Sequence, residues 1–279
     1  GDEWTPSAPK HVLLYEAFGW TPPTFSHIPL LLATGGKKLS KRTGDVSVEI
    51  YLEKWYLVES IINYISLLGW NPKTTEEFFS MSELIERFNL DHVNKSGAIF
   101  DVERLNFFNA HYLKNSDIND LYNKLLTYLK RYDEEFFNTL QKFPEEYNKN
   151  ILNELKSRIK KFDELKGLTT FFYTDAKLAE LDVFINPKMK LESIDDVIAS
   201  LELVEDVLTK NDELTSVNEI KDVFVDAIKD AGMKNGQVLW PARVALSGEE
   251  FSPGTLELIY LLGKEKSLER INNVLENLK

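Results

Sequence analysis

The chain has 279 residues, 43% hydrophobic and 28% charged, ordinary for a globular protein and long enough for two domains with a substantial buried core. It has no apolar run of the length a membrane helix needs and no secretory signal pattern at its start, and the absence of cysteine excludes disulfides and cysteine-ligated zinc or iron–sulfur sites. A formal net charge of −12 argues against a broad basic footprint for nucleic acid, yet acids crowd residues 133–146 and 192–230 while residues 37–54 hold five bases against three acids, so any polyanion would be met by local patches.

In chain order, Gly1-Asp2-Glu3-Trp4 is a polar–aromatic opening with no helix or strand before it. Val12, Leu13, Tyr15, Glu16 and Ala17 predict a short helix over 9–18, closed by Gly19 and barred from continuing by Trp20-Thr21-Pro22-Pro23. His27-Ile28-Pro29-Leu30-Leu31-Leu32 reads as a short buried strand that ends at Gly35-Gly36. The glycine pair frees the backbone for left-handed turns and leads into Lys37-Lys38-Leu39-Ser40-Lys41-Arg42. Two lysines three apart, with Ser40 between them, can meet one phosphate-bearing ligand. The alternative is a solvated basic loop.

Ser47 predicts an N-cap for helical periods through Val48, Tyr51, Leu52 and Trp55, then Leu57, Ile61, Ile62, Ile65 and Leu68, with Gly69 as a C-terminal cap. Ser80 and Glu83 form a capping-box pattern, and Asp101 caps a helix bearing Val102, Leu105, Phe108 and Tyr112. From Ser116 onward the reading is almost all helix, over 118–132, 134–141, 145–162, 194–209, 217–231, 242–246, 255–262 and 264–278. Ser216 and Glu219 repeat the capping box, Gly232 and Gly263 stand where C-terminal caps belong, and Pro253 stands at the first position of a helix. Asn186-Pro187-Lys188-Met189-Lys190 is the best internal boundary in the helical half. Trp55, Tyr56, Tyr64 and Trp70, with Phe107-Phe108, Phe136-Phe137 and Phe171-Phe172-Tyr173, recur at helical spacing and read as core, not as a base-stacking platform. The four histidines show no metal-ligand spacing.

Five ordered blocks resemble one family. Gly1-Asp2-Glu3-Trp4-Thr5-Pro6-Ser7-Ala8-Pro9-Lys10, Lys38-Leu39-Ser40-Lys41-Arg42-Thr43-Gly44-Asp45-Val46-Ser47 and Leu67-Leu68-Gly69-Trp70 are similar to successive blocks of the bacterial-type or organellar-type glutamyl-tRNA synthetases. The other two blocks, Trp240 through Gly248 with Ser252-Pro253-Gly254, and Leu261-Leu262-Gly263-Lys264-Glu265, resemble that family's anticodon region. The resemblance implies a class I aminoacyl-tRNA synthetase, which joins glutamate and ATP into glutamyl-adenylate and passes the acyl group to tRNA(Glu). On that resemblance Lys38 and Lys41 are the catalytic lysines of a KMSKS-type loop, and Lys38, Leu39, Ser40 and Lys41 bind ATP. In-line attack on the α-phosphate needs positioning and charge neutralisation, which mobile lysines supply. Glu3 and Trp4 match the block that borders glutamate and adenine. Arg243, Ser252, Pro253 and Thr255 match residues aimed at the anticodon, where a guanidinium can stack and hydrogen-bond to base edges. Arg158 and Lys160 fall near another anticodon-reading position of the family.

The implied fold is mainly α: a small mixed α/β remnant of the Rossmann-type catalytic domain over 1–47, a helical stem-contact connector over 48–115, and an anticodon-binding helical bundle in two subdomains, 116–190 and 191–279. The family's upstream histidine signature does not occur, so the chain is read as a C-terminal part of a longer enzyme, inactive alone. The implied partners are tRNA(Glu), ATP and L-glutamate. Magnesium would arrive with ATP, no metal would be held by the protein, and the state would be a monomer in cytoplasm or an organellar matrix. Two other readings carry different expectations. A stand-alone tRNA-binding or interaction module would have no catalytic parent, and a glutaminyl relative would carry a β-barrel in place of the helices after Ser116. For single residues, Trp4 could instead be a packing aromatic, and Arg243 could be a surface ion pair with Glu249 or Glu250.

Overall fold

The computed structural model describes residues 1–33, 35–36, 39, 47–175, 178–211 and 214–279. They form two compact units, Gly1–Asp117 with Lys156–Asp163, and Ile118–Leu155 with Glu164–Lys279. Among the described residues, no helix is long and apolar enough to cross a membrane.

The first unit opens with a 3-10 turn, Asp2–Ser7, that runs into α1 (Ala8–Ala17). Gly19 closes α1 as its sequence predicts: at φ 69° it lets the Trp20 N–H return to the Tyr15 carbonyl at 2.9 Å. The strand expected over 27–32 is much shorter. β1 is only Leu31–Leu32, paired in parallel with β2 (Ala98–Ile99), Leu31 opposite Ala98. Nor is it buried, since Leu31 is 37% exposed; two strands of two residues offer no second layer to cover the apolar run.

Four helices follow, α2 (Val48–Glu53), α3 (Val58–Gly69), α4 (Met81–Arg87) and α5 (Val102–Asn115). Ser47 does stand at the N-cap of α2, but its hydroxyl turns to the Glu49 carboxylate. The same helix ends with a bulky residue in a glycine's conformation. Trp55 takes φ 63°, so that its N–H reaches the Leu52 carbonyl and the Tyr56 N–H reaches that of Tyr51, both at 3.0 Å. A left-handed non-glycine residue costs on the order of 1–3 kcal/mol, and burial of the indole offsets it. Gly69, expected as a C-terminal cap, is instead the last helical residue; Trp70 beyond it is extended and bridges antiparallel to Val93, while the Asn94 N–H donates to Gly69 O at 2.7 Å. Ser80 and Glu83 close their capping box in both directions, and the Asp101 carboxylate accepts from the Glu103 and Arg104 N–H groups, as predicted.

The core of this unit is Tyr51, Tyr56, Ile61, Tyr64, Phe100, Leu105 and Phe108, with Leu39 packed against it. Trp55, Tyr56, Tyr64 and Trp70 are all buried, as their spacing predicts. Phe107 departs from that expectation. It is 47% exposed and lies beside Phe78, under the Arg104 guanidinium.

The second unit is helical: α6 (Ile118–Tyr132), α7 (Glu134–Leu140), α8 (Glu145–Leu155), α9 (Asp163–Tyr173), α10 (Leu181–Phe184), α11 (Ile194–Lys210), α12 (Val217–Asp230), α13 (Asn235–Ser247) and α14 (Thr255–Leu278). The helix expected over 145–162 stops at Leu155. The Asn186–Lys190 stretch is a 3-10 turn, Pro187–Met189, pinned by an antiparallel bridge between Asn186 and Leu191 inside this unit. The helix expected over 242–246 starts earlier, at Asn235, so that Pro241 lies within α13. A proline there forfeits a backbone hydrogen bond, and the burial of Pro241, Ala242 and Val244 through Ser247 outweighs the loss. Pro253 precedes the N-cap Gly254 and does not occupy the first helical position. Gly263, at φ 78°, breaks α14 where the sequence predicts a helix end. Ser216 accepts the Glu219 N–H at 3.2 Å, while the Glu219 carboxylate takes the Thr215 N–H and hydroxyl. Leu121, Leu152, Leu201, Phe224, Leu246 and Ile271 are at most 1% exposed and mark the core.

At the start of α7 the Asp133 carboxylate accepts the Phe136 N–H at 3.0 Å and the Lys166 ammonium at 2.8 Å. Burial pushes this carboxyl up, but the two donors outweigh it and hold it below the usual carboxylate range. A depressed pKa contributes stability that is present above the unfolded value and lost as pH falls through the folded one. Asp133→Asn should therefore destabilise the unit at neutral pH, and its deficit against the wild type should close below about pH 4. Urea titrations at both pH values test this; a deficit that does not change with pH would leave Asp133 a neutral cap.

Candidate nucleic-acid interface

The end of α13, the start of α14 and the segment joining them hold the residues that the sequence aims at an anticodon. Gly248, at φ 74°, ends α13 with its N–H on Val244 O at 2.8 Å. Ser247 Oγ then accepts the Glu249 N–H at 3.2 Å. Arg243 Nη2 donates to the backbone carbonyl of Glu250 at 2.8 Å, and its guanidinium carbon lies 4.7 Å from the Trp240 ring centroid. The Trp240 indole is itself anchored by its N–H to Val183 O at 3.2 Å. Arg243 thus does not form the ion pair with Glu249 or Glu250 that was its alternative reading. Its planar group is held by a carbonyl and an aromatic face, leaving its Nε–H buried without a partner.

The other three residues of the set divide. Ser252 is half-buried and donates to Pro253 O at 3.2 Å. Pro253 is buried. Thr255, 5% exposed, commits its hydroxyl to Leu239 O at 2.6 Å, a clamp between α13 and α14. The first turn of α14 also carries an acid, Glu257, which disfavours an anion at that helix end. Sequence reasoning passed over Phe251, which is 81% exposed. Its signal in the sequence is an aromatic set between Gly248 and Pro253-Gly254, outside any helical period. Charge across this unit is lopsided, with 29 Asp and Glu against 18 Lys and Arg.

In the first unit, Glu3 and Trp4 lie in the 3-10 turn that the Asp2 N–H ties to Ile28 O at 3.1 Å. Trp4 is 58% exposed, its ring 6.4 Å from that of His11. Such exposure does not suit a buried packing aromatic. Lys38, Ser40 and Lys41 lie outside the described residues. The frame of their loop is described: Gly35 and Gly36 take φ 89° and 75°, conformations that need glycine, and the Leu39 N–H donates to Leu31 O at 3.3 Å. Arg158 and Lys160 fall in the first unit, where Lys160 O accepts from Asn109 and its ammonium stands 3.4 Å from Glu103. A cavity of about 240 Å³ lined by Ile28, Leu31, Ile65, Trp70, Phe88 and Ala98, among others, has no charged side chain in its wall and does not suit a phosphate. Among the described residues, no three His, Asp or Glu groups could hold a metal.

Two family models match successive parts of the chain. The family model of the Anticodon binding domain matches residues 120–275, and that of the tRNA synthetases class I (E and Q), catalytic domain, matches residues 1–107. The glutamate–tRNA ligase of Borreliella afzelii (strain PKo) is 40% identical over 269 residues, covering 96% of this chain and 54% of that protein. That of Lachnoclostridium phytofermentans is 38% identical, covering 100% of this chain and again 54% of the relative. Among solved structures, a glutamate tRNA ligase from Elizabethkingia meningosepticum in complex with its amino acid superposes with a TM-score of 0.81 at 30% identity, covering 100% of this chain and 56% of that one. The chain spans about half the length of the curated relatives it matches. With more than half of its residues inside the anticodon-domain match and its first part inside the catalytic-domain match, the chain belongs to the anticodon-binding-domain family of the class I tRNA synthetases.

Proposed function

We propose that the chain is the C-terminal part of a glutamate–tRNA ligase, and that its second unit binds the anticodon arm of tRNA(Glu). The observation that carries this reading is Arg243, fixed by the Glu250 carbonyl and the Trp240 face within the block that resembles the family's anticodon readers. In the whole enzyme, Lys38 and Lys41 would neutralise the phosphates of ATP as pyrophosphate leaves, Leu39 and Ser40 would complete the ATP loop, and Glu3 and Trp4 would border the adenylate. ATP supplies the activated phosphorus; these lysines supply position and charge. Magnesium would come with ATP. The chain by itself would bind RNA without forming adenylate.

The test is the affinity of the chain for tRNA(Glu) and for the same tRNA with its anticodon replaced, at two salt concentrations. A preference for the native anticodon that persists at the higher salt is expected, because base contacts are less salt-sensitive than phosphate contacts. Equal and salt-sensitive binding of both RNAs would reduce the role to holding the backbone. Arg243→Ala should weaken binding by about 1–3 kcal/mol, most at one anticodon position. A loss that is uniform across anticodon variants would make Arg243 a phosphate clamp.

A further inference from the structure

We propose that Phe251 is a stacking platform for one unpaired nucleobase, a proposal that rests on the RNA-binding reading above and gives the second unit a contact that the anticodon blocks do not contain. Of the aromatic side chains described in this unit, Phe251 alone is exposed. Its 81% exposure leaves a whole ring in water, where covering it would be favourable.

The backbone on either side of the ring is also held. On its N-terminal side, Arg243 fixes the Glu250 carbonyl and Ser247 fixes the Glu249 N–H; on its C-terminal side, Pro253 is buried and Thr255 clamps α14 to α13. The loop therefore enters an encounter already ordered, and little conformational freedom remains to be lost on binding.

Electrostatics choose the ligand atom. Glu249 and Glu250, both exposed, directly precede Phe251 in a unit with an excess of acids, so a phosphate placed here would be repelled. The π-face of a neutral base would not. Stacking on an aromatic ring needs no positive charge and accepts any base, and the Arg243 guanidinium, bonded to the residue next to Phe251, is placed to address an edge of the same or the adjoining base. The division of labour follows: Phe251 supplies affinity, and Arg243 supplies selectivity.

The experiment uses the whole chain with an anticodon stem–loop of tRNA(Glu), carrying 2-aminopurine at one loop position at a time, at two salt concentrations. Phe251→Ala and Phe251→Leu should each weaken binding about tenfold and abolish the fluorescence quench at one loop position, while Phe251→Trp retains both. The loss should be equal at both salts, since no counterion release is involved. Because the ring is exposed, the thermal unfolding of the variants should match the wild type. Binding by the wild type that Phe251→Ala leaves within roughly twofold overturns the platform alone. A wild type that binds neither the stem–loop nor whole tRNA overturns the RNA-binding reading, and the platform with it. Unchanged RNA affinity combined with altered self-association of Phe251→Ala would make the ring a protein contact instead.

Discussion

Arg270→Met should cost the second unit about 3 kcal/mol of stability. Arg270 is only 5% exposed and is not paired with a carboxylate among the described residues. Its guanidinium instead serves backbone carbonyls at two helix ends. Nη1 donates to Leu246 O in the last turn of α13, and Nη2 to Phe171 O at 2.7 Å and Thr174 O at 3.0 Å, at and just beyond the last turn of α9. Those are the carbonyls a helix leaves without intrahelical donors, at the negative end of its dipole. Burial presses the Arg270 pKa down, yet the guanidinium starts so high that it stays charged. Methionine would fill much of the volume and remove the desolvated charge, but it would leave three carbonyls without their donor. Arg270→Lys keeps a charge without the planar fork and should recover only part of the loss. Urea unfolding followed by far-UV dichroism measures both; a deficit for Arg270→Met under about 1 kcal/mol would mean that water replaces the guanidinium at little cost.

Helix starts were more legible in the sequence than helix ends. Ser80, Asp101 and Ser216 cap as predicted because an N-cap is a local contract between one side chain and an N–H two or three residues on. Gly19 and Gly232 close helices as predicted, both at positive φ. Trp55 closes one with no local signal, since its left-handed backbone is stabilised by burial of the indole in the folded unit. The helix expected over 242–246 is too short, because α13 begins at Asn235 and runs through Pro241, whose lost backbone donor tertiary packing offsets. At the candidate interface the blocks gave Arg243 its place but could not show that Thr255 turns inward to Leu239, because that depends on how α13 and α14 meet. Phe251 went unread for the converse reason. Its place between Gly248 and Pro253-Gly254 marks a loop, but whether the ring turns inward or out to solvent is a property of the folded loop.

Asn109→Ala should destabilise the first unit by about 3 kcal/mol, and Asn109→Asp by an amount that depends on pH. Asn109 is 0% exposed on α5, and its amide joins three parts of the unit. Oδ1 accepts the Leu57 N–H at 2.8 Å, just ahead of α3, and lies 2.7 Å from Ser60 Oγ. Nδ2 donates to Lys160 O at 2.6 Å. Alanine would strand the buried Leu57 N–H and the partly buried Lys160 carbonyl together. Aspartate has nearly the same shape but, when ionised, turns an oxygen toward Lys160 O where a donor is needed. When protonated it can donate there. The Leu57 N–H and Ser60 hydroxyl on Oδ1 would lower the folded pKa of the new carboxyl. The site is fully buried, however, and, unlike that of Asp133, pairs it with no cation among the described residues, so burial and the Lys160 carbonyl raise it above its unfolded value near 4. Whatever stability Asn109→Asp retains should be fullest below about pH 4 and decline as pH rises through the folded value. Urea midpoints at low and neutral pH decide it: an Asn109→Asp deficit unchanged with pH would mean that the carboxylate finds a donor or water in place of the amide. The consequence reaches the basic loop. Asn109 fixes the junction that carries Tyr56, Tyr56 belongs to the cluster on which Leu39 packs, and Leu39 is the described residue between Lys38 and Ser40. A collapse of this junction should therefore loosen the anchor of the loop proposed to meet ATP.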